Sequence, residues 1–313
     1  MKLLSFSIHG AEPRLGVLLE DGRVLDVVQA YLALFEAVPP RFLASLDSLV
    51  SAGYRGLKLL RLLYDEAVGE LKSNSRLSEA LVERAVYSID RIKFHPPIAR
   101  PGKMLFTAVN YWSHARELGV EPPESPYFFL KPHTTLVGHG GLVVIPRGSS
   151  KPDYEVELAV VIGRRGRYIG RSSAMDYVFG YTIALDMTLR DWQQPLPRLG
   201  INWLRAKGFD TSTPMGPWVV TRDEIEDPHN LRLELRVNGE VRQEGSTSDM
   251  IFKIPELIEA ASQGVTLEPG DIISTGTPSG VGAATGKFLR HGDVVVATVE
   301  KIGALECRVT LEA

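Results

Sequence analysis

Three carboxylates between Asp153 and Asp191 have the types and spacing to hold one divalent cation. Glu155 and Glu157 stand two apart in Tyr154-Glu155-Val156-Glu157-Leu158-Ala159-Val160-Val161-Ile162, a β-branched, apolar run that reads as a strand entering the interior. Residues two apart on a strand share a face, so both carboxylates point the same way. Like charges side by side at the mouth of an apolar strand are costly unless a cation or a partner neutralises them. A second apolar run, Val178 to Leu185, ends at Asp186, which supplies a third carboxylate. Oxygen donors with no cysteine nearby suit Mg²⁺, Mn²⁺ or Ca²⁺ better than structural zinc. Spacing alone equally fits two glutamates on a solvated strand edge with Asp186 capping the helix that follows, and at this point both readings stand.

Two further groups could do chemistry. Asn110 to Gly119 follows a strand-like run ending at Val109 and reads as a short helix. On it His114 and Glu117 are i and i+3, so their side chains can meet. A carboxylate beside a histidine selects its tautomer and raises its basicity, as a base that activates water requires. An isolated His-x-x-Glu pair is far more often a surface ion pair, so this one needs context from the rest of the chain. Thr277 lies in the glycine-rich turn Ser274-Thr275-Gly276-Thr277-Pro278-Ser279-Gly280-Val281-Gly282, where Gly276 and Gly280 allow a close approach to a ligand. The turn lacks the Gly-Lys-Ser/Thr ending of a phosphate cradle, which argues against nucleotide binding.

The elements that must position these groups fall into two parts. At 313 residues the chain can bury a substantial core in one large domain or two unequal ones. Its opening run, Met1 to His9, alternates like a strand, and a hairpin turns at Asp21-Gly22. Leu32 to Phe35, Phe42 to Val50 and Leu57 to Leu71 carry apolar residues at helical spacing, and Lys72 to Arg84 is polar and charged. Pro96-Pro97 and Pro101-Gly102 then break the chain, which places a boundary near residue 97: a small α+β unit over 1–97 and a larger one over 98–313. Beyond it strand-like runs dominate, among them Leu142 to Ile145, Tyr181 to Leu185, Leu231 to Asn238, Val294 to Val299 and Leu305 to Leu311, with a hairpin turn at Asn238-Gly239. The fold class is therefore mainly β with α.

Composition narrows the partners. A net charge of −3 with no basic run argues against nucleic acid and membrane surfaces. No apolar stretch approaches the roughly 18 residues of a membrane span, and the opening run is too short for a signal sequence, so a cytoplasmic protein is expected. The single cysteine, Cys307, rules out an intrachain disulfide and reads as core packing.

Taken together, the motifs resemble those of the fumarylacetoacetate hydrolase family, in its acylpyruvate hydrolase and oxaloacetate decarboxylase-like branch. They occur in order over about residues 99 to 310: Asn-Tyr-x-x-His-x-x-Glu, Phe-Leu-Lys-Pro, Glu-x-Glu, Asp-Met-Thr-x-Arg-Asp-x-Gln, Lys-Gly-Phe-Asp and Thr-Gly-Thr-Pro-x-Gly-Val-Gly. The resemblance implies a β-roll catalytic domain and Mg²⁺ or Mn²⁺, with Ca²⁺ as the alternative, on Glu155, Glu157 and Asp186 near the surface. It implies a 2-oxo or 2,4-dioxo acid substrate that chelates the metal. Arg190, Gln193 and Lys207 would serve as donors to the oxygen that gains charge, and Thr277 as a contact to the substrate carboxylate. The implied reaction is hydrolysis of a carbon–carbon bond in an acylpyruvate or fumarylpyruvate, with water activated by His114 and Glu117 and the departing enolate held by the metal and Lys207. Oxaloacetate decarboxylation, isomerisation of 2-hydroxyhepta-2,4-diene-1,7-dioate and sugar-acid dehydration use the same kind of site. A non-enzyme reading is a structural Ca²⁺-binding protein. A homodimer is also expected, paired through the apolar strands Leu231 to Val237 and Val294 to Val299.

Overall fold

A computed structural model describes residues 1–8, 10–73, 75–197 and 200–312; His9 and Asn74, which fall within stretches read above, lie outside it. The chain opens with strands β1 (Lys2–Ser7), β2 (Arg14–Leu18) and β3 (Val24–Asp26). Three helices follow: α1 (Val27–Phe35), α2 (Leu46–Leu71) and α3 (Arg76–Ala85). Each starts where a side-chain oxygen accepts a backbone N–H, from Asp26, Ser45 and Ser75 respectively. Gly53, at φ 60° and ψ −145°, breaks α2 in two. Helix α3 occupies the stretch that the sequence shows only as polar and charged, because little more than Leu81 and Ala85 of it faces the core.

The remainder begins with β4 (Met104–Ala108), α4 (Trp112–Leu118), β5 (Tyr127–Leu130) and β6 (Gly141–Ile145). Next come β7 (Val156–Ile162), β8 (Val178–Leu185), α5 (Trp203–Lys207) and β9 (Thr213–Thr221). Then follow β10 (Arg232–Val237), β11 (Glu240–Ser246), α6 (Ile254–Ala261), β12 (Ile272–Ser274), β13 (Val294–Val299) and β14 (Gly303–Leu311). Among the described residues these strands form two main sheets. The larger runs β3-β2-β1-β9-β8-β7-β12-β4-β5, and the smaller β11-β10-β13-β14-β6. Main-chain pairing of β1 with β9, Leu3 opposite Val219, carries the larger sheet across residue 97 without a gap. The β10–β11 hairpin turns at Asn238 (φ 51°) and Gly239 (φ 83°), both in the left-handed conformation that a two-residue loop demands.

Strands β7 and β8 are buried along their whole lengths. Val156, Leu158, Val160 and Ile162 face the core that lies against β10, β13 and β14, whereas Ala159 and Val161 face the core beneath the N-terminal helices. Cys307 is fully buried on β14. Leu233, Leu235, Val237, Val295, Ala297 and Val299 of β10 and β13 are all buried in the sheet's own core. Of the apolar residues of β13, Val294 and Val296 are left half-buried on the opposite face. No helix among the described residues is long and apolar enough to cross a membrane.

Candidate metal centre

Strand register brings the three carboxylates together. β7 and β8 are antiparallel with Val156 opposite Leu185 and Glu157 opposite Ala184. One residue further out, Asp186 stands across from Glu155, and its N–H donates to the Glu155 carbonyl at 2.9 Å. Because side chains alternate along a strand, Glu157 projects to the same side as Glu155. One carboxylate oxygen from each of Glu155, Glu157 and Asp186 lies within 4.8 Å of the others. All three residues are buried, with 4%, 2% and 1% exposure, so the centre is interior and not near the surface as expected.

Burying like charges this close requires compensation, and three cations supply most of it. Lys207 Nζ donates to Glu155 Oε2 at 2.7 Å, to Asp186 Oδ2 at 2.6 Å and to Thr188 Oγ1 at 2.7 Å. Lys131 Nζ donates to Asp186 Oδ1 at 2.7 Å and to the Ser212 carbonyl at 2.9 Å. Arg190 donates from Nε to Asp153 Oδ2 at 2.7 Å, from Nη2 to Glu155 Oε1, and from Nη1 to Gln193 Oε1 at 2.9 Å. Asp153 in turn accepts the N–H groups of Gly282 at 2.6 Å and Ala283 at 2.8 Å. The two lysines differ as their partners do. Burial pulls the Lys131 ammonium down, with Asp186 its one carboxylate; at Lys207 burial is more than offset by Asp186 and Glu155 together, which raise it.

Glu157 is the carboxylate left without a cation. Its Oε2 accepts only neutral donors, the Ser274 hydroxyl and the Gly276 N–H at 3.0 Å. Burial, reinforced by the charges of Asp186 and Glu155, pushes its carboxyl up to about 8. Burial also opposes ionisation of Glu155, but Lys207 and Arg190 hold that carboxyl well below the usual carboxylate range. The cluster is thus built with room for more positive charge at Glu157, and its hard oxygen donors fit Mg²⁺ or Mn²⁺. A metal arriving at neutral pH must displace the Glu157 proton. Mn²⁺ binding is therefore expected to release close to one proton at pH 7, and the release should fade as pH rises past about 8. Calorimetry in buffers of different ionisation enthalpy measures this directly; a proton count independent of pH would refute it.

A cavity of about 70 Å³ opens onto the carboxylates. His114, Arg190, Gln193, Lys207 and Thr277 line it together with Glu155, Glu157 and Asp186, so eight of the nine side chains singled out in the sequence meet there. The ninth, Glu117, stands behind His114: its Oε1 is 2.7 Å from His114 Nδ1. Its Oε2 accepts the Gly280 N–H at 2.8 Å, tying α4 to the glycine-rich turn. Gly280 has φ 105°, and a Cβ there would lie 2.1 Å from the Arg242 carbonyl, so no other residue fits. Thr277 Oγ1 accepts from Gln243 Nε2 at 2.8 Å, while Gln243 Oε1 accepts the Val156 N–H at 3.0 Å. Leu118, Phe129 and Trp203 complete the cavity wall as apolar surface. His139 lies elsewhere, its Nδ1 accepting the Glu306 N–H at 3.1 Å. A larger cleft of about 650 Å³ borders Tyr54, Leu57, Arg61 and Arg222, but none of the convergent carboxylates lines it.

Lys131, Asp153, Gln243 and Ser274 belong to this network and were not singled out by their spacing. Lys131 had a local signal, a lysine directly after the apolar run Tyr127–Leu130. Gln243 had none, because it sits on a hairpin strand 86 residues beyond Glu157 and reaches the site only through sheet packing.

Comparison with known proteins agrees with this geometry. A family model described as "Fumarylacetoacetate (FAA) hydrolase C-terminal" matches residues 103–310. An oxaloacetate tautomerase, YisK of Bacillus subtilis, is 43% identical over 298 residues, which cover 93% of this chain and 94% of that protein. An uncharacterized protein of Pyrococcus abyssi is 54% identical over 213 residues, 68% of this chain and 92% of its own length. Among solved structures, maleylpyruvate hydrolase from Sphingobium sp. SYK-6 in complex with manganese(II) and pyruvate superposes with a TM-score of 0.73 at 31% identity, covering 100% of both chains.

Proposed function

Since the chain belongs to the fumarylacetoacetate hydrolase family of enzymes, we propose that it catalyses proton transfer at C3 of a small 2-oxo acid, with enol–keto tautomerisation of oxaloacetate as its reaction. The observation that carries this reading is the buried His114, backed by a half-buried Glu117, on the wall of a cavity of only about 70 Å³ and facing three carboxylates. So small a space suits a substrate of few heavy atoms, since pockets for larger ligands run to roughly 300 Å³ and above. A relative matched over nearly the whole of this chain, YisK of Bacillus subtilis, carries that activity in its name.

Glu155, Glu157 and Asp186 would hold the divalent cation, which when bound polarises the 2-oxo group and so acidifies the protons on C3. The chain's own side chains do the rest. With its Nδ1 proton donated to Glu117 Oε1, the His114 ring presents Nε2 as the free acceptor. That nitrogen takes the enol O–H proton and returns one to C3, or runs the exchange backwards: one O–H bond breaks, one C–H bond forms, and no group leaves. Glu117 steadies the imidazolium formed between the two transfers, and its second oxygen keeps the ring in place through Gly280. Lys207 has all its hydrogens on Glu155, Asp186 and Thr188, so its part is to hold the carboxylates aligned. Leu118, Phe129 and Trp203 give the cavity an apolar wall.

A second reading, hydrolysis of a 2,4-dioxo acid, is favoured by the end-to-end likeness to maleylpyruvate hydrolase. There the same histidine nitrogen would deprotonate water for attack on the distal carbonyl. One experiment separates the two. The enzyme with Mn²⁺ or Mg²⁺ is given freshly dissolved enol-oxaloacetate, followed by loss of enol absorbance, and in parallel a set of acylpyruvates, followed by pyruvate release. Faster loss of enol, abolished by EDTA, is the expected result. Pyruvate release with no effect on the enol would transfer the assignment to hydrolysis, and inactivity in both assays would reject both readings.

A further inference from the structure

We infer that Asp249 positions the His114–Glu117 pair, by capping from a distant part of the chain a helix that has no cap of its own; the inference rests on the functional reading above. Helix α4 has seven residues, too few to hold together alone in water. Tyr111 stands at its N-cap and makes no side-chain capping bond. The far end is closed by Gly119 in the left-handed conformation, φ 64° and ψ 32°.

The missing acceptor arrives from 136 residues downstream: Asp249 Oδ2 accepts the Ser113 N–H at 2.8 Å. A carboxylate there also complements the positive end of the helix. Arg116 lies 3.9 Å from the other Asp249 oxygen, but with its side chain 70% exposed that contact adds little. The segment that carries Asp249 is pinned to the residues leading into α4. Met250 bridges Tyr111, and the Ile251 N–H donates to the Asn110 carbonyl at 2.8 Å. The Asn110 amide accepts the Phe252 N–H at 2.8 Å and donates to the carbonyls of Phe252 at 3.0 Å and Thr275 at 2.8 Å. Asn110 therefore joins Asp249's segment to the strand end just before Gly276 and Thr277. Asp249 does not line the cavity, so its carboxylate reaches the chemistry through the Ser113 N–H and α4.

The test compares Asp249→Ala with Asp249→Asn in the full chain loaded with Mn²⁺. Losing an N-cap shifts a helix equilibrium about tenfold, so the alanine variant should show kcat lowered by at most that factor, with KM close to wild type. Amide exchange in residues 113–118 should quicken by a similar factor, with Mn²⁺ affinity unchanged. Asparagine caps as well as aspartate and should restore both rate and protection. In a His114→Ala background, Asp249→Ala should cost nothing further, because a residue acting through His114 has no second route to the reaction. Additive losses, an asparagine variant as poor as alanine, or weakened Mn²⁺ binding would overturn the assignment. The exchange measurement needs no turnover: if the wild-type enzyme fails on oxaloacetate and acylpyruvates alike, the functional reading falls, and the protection of α4 in the two variants still decides the cap.

Discussion

Glu157→Gln should abolish tight Mn²⁺ binding and turnover while making the metal-free protein more stable at neutral pH. Glutamine keeps the size of the side chain and an oxygen for the Ser274 hydroxyl and the Gly276 N–H, but removes the one carboxylate that no cation neutralises. Folding raises the Glu157 carboxyl from an ordinary 4.5 to about 8. A group raised in the folded state favours folding fully only below its unfolded value, and that contribution is lost as pH climbs through the interval up to the folded one. Wild type and variant should therefore be nearly equal in stability near pH 4.5 and diverge progressively up to pH 8. At pH 7 the variant should be ahead by about 1–3 kcal/mol. Asp186→Asn is the contrasting case. Asp186 meets both Lys131 and Lys207; neutralising it strands the buried Lys131 ammonium, while Lys207 keeps Glu155, at a cost of about 3–5 kcal/mol. Thermal unfolding of the metal-free proteins across this pH range, with Mn²⁺ titrations alongside, checks both. A Glu157→Gln protein that binds Mn²⁺ like wild type, or that is less stable at pH 7, would disprove the account of the cluster's charge.

His114→Ala is expected to lower tautomerisation by about 10²–10⁴, the range for losing a general base, with Mn²⁺ affinity held near wild type. Glu117→Gln should fall in the same direction by a smaller factor, since it leaves the ring in place but removes the charge that steadies the imidazolium. Decarboxylation of oxaloacetate needs an electron sink and no base, so any such side reaction should survive His114→Ala far better than tautomerisation or acylpyruvate hydrolysis. Parallel rate measurements on the three reactions distinguish the roles. Equal losses in all three would leave His114 a substrate-positioning residue.

Much of the site was legible because its signals are local. Glu155 and Glu157 reveal their shared face through the two-residue period of a strand, and His114 and Glu117 theirs through one helical turn. Asp186 could be placed at a strand end, but that it lies opposite Glu155 depends on the register of β7 with β8, which no local pattern shows in strands buried on both faces. The burial of the centre was not legible either: a Glu-x-Glu pair looks solvated until its compensating cations, brought from α5 and from the end of β5, are in view. In the fold, the β10–β11 turn was readable from Asn238-Gly239, whereas α3 was hidden by its charged outer face. The apolar alternation of β10 and β13 marked their buried side correctly as apolar; what it could not say was whether another subunit or the same chain covers it.

The full burial of β7 bears on how the chain finds its native pairing. A strand with one wet face is held in register by polarity, since a slip of one residue would expose every apolar side chain. β7 is apolar toward two separate cores, so a slipped pairing with β8 would cost it little hydrophobic burial. It would, however, turn Glu155 and Glu157 away from Lys207, Arg190 and the Gly276 N–H, into packing that offers a carboxylate nothing. The carboxylates of the centre thus disfavour a slipped register that the apolar faces of β7 alone would tolerate.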